Sequence, residues 1–320
     1  MKNLLLVFAL LLFAFAGANA QQDARYSQYM FNKLAVNPAY SGTTEGLSLT
    51  GLYRIQWVDI DGAPTTFSFA AHTPFGGEKK AGLGFWGEYD QIGIHNRIKA
   101  YLSYAYKIDI GSNRLSLGVQ GGVEQLNSAF SSLQGNTLIE LGIDPVLGEN
   151  QSNLLPNFGV GLYFYNPDAF YFGVAAPHLL NNDLYSEVGA SRQISHYNIM
   201  GGVIIGGDTF KVKPSFLLKA TPNMAPVQLD ANLMFLIKNA IWLGGSFRAG
   251  SAFPTGAQDF FIRESLDFIV AFEVKGLKIG YAYDLTLSDL ARYNSGSHEI
   301  MLGYDVSSGN NQRIRTPRYF

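Results

Sequence analysis

Apolar and polar side chains alternate along most of this chain, most regularly from Arg97 to Ile110. There Arg97, Lys99, Tyr101, Ser103, Ala105, Lys107 and Asp109 share one parity, and Ile98, Ala100, Leu102, Tyr104, Tyr106, Ile108 and Ile110 the other. Successive side chains of a strand point to opposite faces, so the stretch predicts a β-strand between an apolar medium and a wet one. Helical spacing would scatter its four charges around the axis. Strands of globular sheets usually run about 5–6 residues, whereas about 9–11 tilted residues cross the hydrocarbon of a bilayer. The pattern predicts a transmembrane β-barrel.

Fourteen strand-like segments follow from Gly46 onward, at about 46–58, 63–75, 81–91, 97–110, 113–126, 155–165, 169–177, 195–206, 209–220, 226–238, 240–250, 261–273, 276–287 and 296–306. The connections after even-numbered segments (Gly76–Lys80, Gly111–Ser112, Asn166–Asp168, Gly207–Asp208, Asn239, Val274–Lys275) are all tight, and most are rich in Gly, Asn, Asp or Lys. After odd-numbered segments come the long Asn127–Leu154 and His178–Ile194, with Ser251–Phe260 and Ser288–Ser295 of middling length. Asp59–Gly62, Ile92–Asn96 and Thr221–Ala225 are short on that side too, so the sorting runs one way only. Short turns on one side and longer loops on the other are the habit of outer-membrane barrels, with the turns in the periplasm.

Other segments repeat the parity sorting. Val227, Leu229, Ala231, Leu233, Phe235 and Ile237 lie opposite Gln228, Asp230, Asn232 and Lys238, and Leu277, Ile279, Tyr281, Tyr283 and Leu285 lie opposite Lys278, Asp284 and Thr286. Leu47, Leu49, Tyr53, Ile55 and Trp57 likewise lie opposite Ser48, Thr50, Arg54 and Gln56. Glu264 breaks the rule, sharing parity with Leu266, Phe268 and Val270, and is expected near the rim. Lipid would punish a free sheet edge, so the sheet should close. The fold class is therefore all-β: an antiparallel up-and-down transmembrane barrel of about fourteen strands. Residues 1–20 form a signal peptide, 21–45 an N-terminal periplasmic segment or plug, and 46–320 the barrel. Within the second of these, Tyr26, Tyr29, Met30 and Leu34 fall at spacings that permit a short amphipathic helix.

The leader combines Lys2, an apolar run from Leu4 to Ala16 and the small-residue pattern Ala18-Asn19-Ala20. Cleavage near Ala20 would place the mature protein in the bacterial outer membrane. The chain has no cysteine, so no lipid-attachment cysteine, disulfide framework or thiolate metal site exists. Removal of Lys2 lowers the basic residues from 23 to 22 against 25 acidic ones, moving the formal charge from −2 to −3. That balance argues against nucleic acid and against a polybasic membrane patch. Aromatic residues at 14% and charged ones at only 15% suit a β-protein with one face in lipid.

Catalytic constellations are missing from the sequence. No HExxH, GxSxG or Gly-rich phosphate loop appears, and none of His72, His95, His178, His196 and His298 pairs with another at i, i+4. His298 and Glu299 are adjacent, hence on opposite faces of a strand. His72, inward by parity, could reach a serine across the lumen as in a membrane phospholipase, although no motif supports it. No catalytic, cofactor-binding or metal residues are therefore expected, and the protein reads as a non-enzyme. Inward charges Arg54, Lys99, Lys107, Asp109, Lys219, Asp230, Arg248 and Asp267 are mixed in sign, which suits mutual pairing in a closed lumen or a conduit for a polar solute. Tyr53, Trp57, Trp86, Tyr104 and Tyr283 are candidates for an aromatic girdle.

Several motifs, taken in order, resemble the PorP/SprF family of the type IX secretion system. They are Gln28-Tyr29-Met30-Phe31-Asn32, Val36-Asn37-Pro38-Ala39-Tyr40-Ser41-Gly42, Arg54-Ile55-Gln56-Trp57 with Asp61-Gly62-Ala63-Pro64-Thr65-Thr66, and Tyr104-Ala105-Tyr106. Further on come Pro156-Asn157-Phe158-Gly159-Val160-Gly161-Leu162-Tyr163, Lys213-Pro214-Ser215, Gly280-Tyr281-Ala282-Tyr283-Asp284, Ser297-His298-Glu299-Ile300 and the terminal Pro317-Arg318-Tyr319-Phe320. Ile55 departs from the pattern, where such proteins often carry a second polar residue. The resemblance implies a non-enzymatic accessory of protein export and gliding machinery. It would support secretion or surface attachment of cargo proteins that bear a C-terminal sorting domain. Implied partners are outer-membrane lipid, secretion-system subunits on the periplasmic side and the cargo, with no nucleic acid. The periplasmic subunits would meet Tyr26, Gln28, Tyr29, Phe31, Asn32, Asn37, Pro38 and Tyr40, and the cargo would meet the two long loops. A channel or transporter for small or hydrophobic solutes is the alternative function that barrel width allows.

Overall fold

The computed structural model describes residues 23–130, 150–183, 193–221, 225–251 and 261–306. The strands are β1 (Ser48–Ile55), β2 (Thr65–Phe75), β3 (Ala81–Ile92), β4 (His95–Ile110), β5 (Asn113–Ser128), β6 (Gln151–Asn166), β7 (Phe170–His178) and β8 (His196–Val203). They continue as β9 (Ile205–Gly206), β10 (Phe210–Thr221), β11 (Ala225–Ile237), β12 (Ile241–Ser251), β13 (Phe261–Val274), β14 (Leu277–Thr286) and β15 (Ser297–Asp305). Both β8 and β9 pair with β10, as two pieces of one stave interrupted at Ile204, so the wall has fourteen staves. Each stave is antiparallel to its neighbour, and β1 pairs with β15 from Ser48↔Asp305 to Ile55↔His298. The sheet is closed, and no lipid-facing edge remains.

Alternation explains the wall. On β4, Lys99, Tyr101, Ser103, Ala105 and Lys107 are buried inside, whereas Ile98, Leu102, Tyr104, Tyr106 and Ile108 are exposed outside, Leu102 at 68%. Among soluble proteins this would be inside out; here the outward set meets hydrocarbon. Tight hairpins join the staves at one end. In Lys275-Gly276 both residues have positive φ (51° and 85°), the twist-matched geometry of a two-residue turn. Trp57 and Asp59 adopt positive φ (52° and 78°), which stops β1 at Ile55 rather than continuing it to position 58. Three register shifts, at Ala175/His178, Lys219/Thr221 and Arg248/Ala249, all lie toward the loop end, where bulges re-aim side chains.

The lumen is filled by the chain's own start. Residues from Asp23 at the loop end to Thr44 at the turn end thread through it, and from Tyr26 to Thr43 all are buried except the half-buried Phe31, Ala35 and Tyr40. This plug contains no α-helix; it makes three short 3₁₀ turns, Tyr29–Phe31, Lys33–Ala35 and Pro38–Tyr40. The expected amphipathic helix is broken at Asn32 (φ −130°, ψ 59°). Some of the plug's backbone groups close these turns, and others bond to side chains of the wall.

Candidate functional site: the plugged lumen

At the loop end the plug is held by charge. Glu299 accepts hydrogen bonds from the backbone N–H groups of Ser27 (2.9 Å) and Gln28 (2.7 Å). Arg54 pairs with Asp284 (2.6 Å) and Glu299 (3.4 Å) and donates to Ser27 Oγ (2.7 Å), which itself donates to Asp284 (2.7 Å). Arg248 pairs with Asp230 (2.6 Å) and reaches the Tyr26 carbonyl (3.4 Å). Tyr26 donates to Glu88, and Arg25 pairs with Glu264. The register shift beside Arg248 turns Glu264 toward the lumen mouth, although its parity matches the lipid-facing Leu266 and Phe268. Buried charges of this kind are sustained only when paired and hydrogen-bonded.

From Val36, still close to the loop end, down to Gly42 at the turn end the grip is mostly neutral. Asn198 donates to the Val36 carbonyl (3.0 Å), Asn37 to the Leu162 carbonyl (2.9 Å), and Ser116 to the Ala39 carbonyl (2.7 Å). Asn37 Oδ1 accepts from Ala39 N (2.9 Å), capping the last 3₁₀ turn. Ser41 and Ser103 share a hydroxyl contact (2.7 Å), and Lys107 caps the Gly42 carbonyl. Wall glycines admit this backbone. A Cβ at Gly118 would overlap Pro38 and Ala39, and one at Gly161 would overlap the Asn37 side chain. In the middle, Lys33 lies over the rings of Tyr40 (5.1 Å) and Tyr171 (4.6 Å).

The structure sorts the other expected residues. Tyr26, Gln28, Tyr29, Asn32, Asn37 and Pro38 are buried in the lumen, and Phe31 and Tyr40 are half-buried and line a cavity near the turn end. His72 accepts from Gly42 N (3.1 Å) rather than from a serine. His298 bonds Tyr281 on the outer face (2.7 Å) while Glu299 points inward. Two girdle assignments are corrected: Trp86 is buried in the lumen against Tyr101, and Trp57 lines a cavity of about 370 Å³ at the loop-end mouth. Tyr53 and Tyr104 do face outward, 44% and 42% exposed. Asp109 sits at the turn-end rim, paired with Arg114 (3.0 Å). Sequence reasoning did not foresee that Asp23, His178 and His196 converge at the loop end. The available signal was that the two histidines bracket one loop, and hairpin pairing brings its ends together.

Residues 18–304 match the model of the type IX secretion system membrane protein PorP/SprF. The chain belongs to this family. No curated protein matches it in sequence. Similar solved structures include the outer membrane protein Omp33 of Acinetobacter baumannii (6% identity, 82% of this chain and 97% of that chain, TM-score 0.46). Others are the TodX deltaS2S3 mutant monoaromatic hydrocarbon channel (10%, 84% and 92%, 0.46) and OmpF of Salmonella typhi (9%, 81% and 96%, 0.38). This chain of a secretion-system membrane protein family is a closed antiparallel β-barrel whose own N-terminal segment occupies its lumen.

Proposed function

We propose that this PorP/SprF barrel is a non-enzymatic outer-membrane scaffold of type IX secretion that supports export or surface attachment of cargo with C-terminal sorting domains. The observation that carries the choice over a solute channel is the plug: buried and bonded to the wall along its length, it fills the space a solute would cross. Lumen charges serve that seat. Arg54, Asp230, Arg248, Asp267 and Asp284 pair among themselves instead of lining a path. Cargo contact falls to the loop end, on connections whose positions 131–149 and 184–192 lie outside the described residues. Secretion subunits meet the turn end, which the short-turn rule places in the periplasm.

The test replaces residues 131–149 by a short Gly-Ser linker in the native cell. The expected outcome is a barrel still inserted in the outer membrane and cargo missing from the surface, scored by surface immunolabelling. Normal display would remove the loop's role. Purified protein in planar bilayers should show no steady conductance, and solute flux through it would favour the channel reading.

A further inference from the structure

At the loop-end mouth, Asp23 Oδ2 lies 3.5 Å from His178 Nδ1 and 3.7 Å from His196 Nε2. Ligand atoms of Asp23, His178 and His196 all fall within 4.8 Å of one another. Tetrahedral zinc with bonds near 2.0–2.1 Å holds its ligand atoms about 3.3 Å apart, so small adjustments suffice. We propose that these three side chains form a zinc-type divalent metal site that clips the start of the plug to β7 and β8.

Four further observations point the same way. The register shift between Ala175 and His178 brings His178 opposite His196, the local re-aiming by which a bulge can build a site. Both imidazoles are buried; His178 has the carboxylates of Asp23 and Glu124 beside its two nitrogens, whereas among the described residues Nδ1 of His196 meets no hydrogen-bond partner, which such a group ordinarily finds. The outer shell has the arrangement metal sites use. Glu124 Oε1 stands 3.1 Å from His178 Nε2, the nitrogen left over if Nδ1 binds metal, and Lys99 Nζ holds the other oxygen of Asp23 at 2.7 Å. Finally, Asp23, His178 and His196 line a cavity of about 30 Å³, room for a water or two to complete the coordination.

Charge does not oppose the ion. Lys99 and Lys219 line the same space, but Lys99 is shared between Asp23 and Glu88 (2.9 Å), and with Glu124 three carboxylates face two ammonium groups. With neutral imidazoles the balance is negative. Two imidazoles and one carboxylate suit zinc, whereas calcium and magnesium require oxygen ligands.

The experiment uses the full mature chain, purified in detergent without a histidine tag, stripped with EDTA and titrated with zinc sulfate by calorimetry. One zinc per chain is expected, with no response to magnesium or calcium. Asp23→Asn and His178→Ala should each weaken binding at least tenfold, while His298→Ala, on the outer face, should not change it. Heat-modifiable gel migration confirms that each variant keeps its barrel, and Asp23→Asn lies on the plug, not in the wall. Zinc should also slow hydrogen exchange of the amides of residues 24–28. Absence of stoichiometric zinc in the wild type, or equal binding by both site variants, overturns the site. Binding without slower exchange overturns the clip.

Discussion

The two ends of the plug are held by different physics. Around Tyr26 to Gln28, guanidinium and carboxylate groups surround the chain, and each buried charge depends on the others. Around Val36 to Gly42, amide and hydroxyl donors meet carbonyls, and shape matters as much as polarity because glycines let two backbones touch. Breaking one member of a buried ionic set strands charges and costs about 3–5 kcal/mol, whereas stranding one buried neutral group costs about 1–3 kcal/mol. The charged segment is therefore cooperative and fragile to single changes, and the neutral segment is graded.

Arg54→Ala should have the largest effect, because it leaves Asp284 and Glu299 buried with their nearest cation gone. A loss of about 3–5 kcal/mol is expected, read as a lower denaturant midpoint and faster hydrogen exchange at residues 26–30. Replacing the set together, with Arg54→Met, Asp284→Asn and Glu299→Gln, should recover most of it, since no charge is then stranded. A single change costing less than about 1 kcal/mol would place this network in the class of solvated surface pairs and erase the contrast between the ends.

Gly118→Val comes next. Its side chain would overlap the backbone of Pro38 and Ala39, which cannot rotate away as a flexible side chain would. Overpacking of this kind costs about 1–3 kcal/mol. The expected result is faster exchange confined to residues 37–42, with the Glu299 contacts unchanged. If residues 26–30 loosen equally, the plug moves as one body and the two ends are not independent.

The wall was legible because lipid enforces a period of two: any strand that ignored it would put Leu102 in water or Lys99 in hydrocarbon. Glu264 escaped the pattern because a bulge adds one residue and flips parity, and no local signal marks its position. The plug was harder to read. Its apolar spacing at Tyr26, Tyr29, Met30 and Leu34 fits a helix, but its amides bond to Glu299, more than 270 residues away in sequence. Motifs that carry the family resemblance, scattered from Gln28 to Glu299, converge on this seat: Arg54, Gly161, Asp284 and Glu299 all touch the plug or its partners.

The smallest effect is expected at Asn198, whose amide donates to the Val36 carbonyl at 3.0 Å. Stranding a buried acceptor costs about 1–3 kcal/mol, but both residues line the same cavity of about 30 Å³ as the histidines. A water fits such a space and can take over the donation. Asn198→Ala should therefore cost only about 1 kcal/mol, seen as a small midpoint shift and modestly faster exchange near residues 36–37. Asn198→Leu, which fills the space and excludes water, should cost more than the alanine. If the two substitutions cost the same, water does not reach the Val36 carbonyl, and the neutral segment is as intolerant of single losses as the charged one.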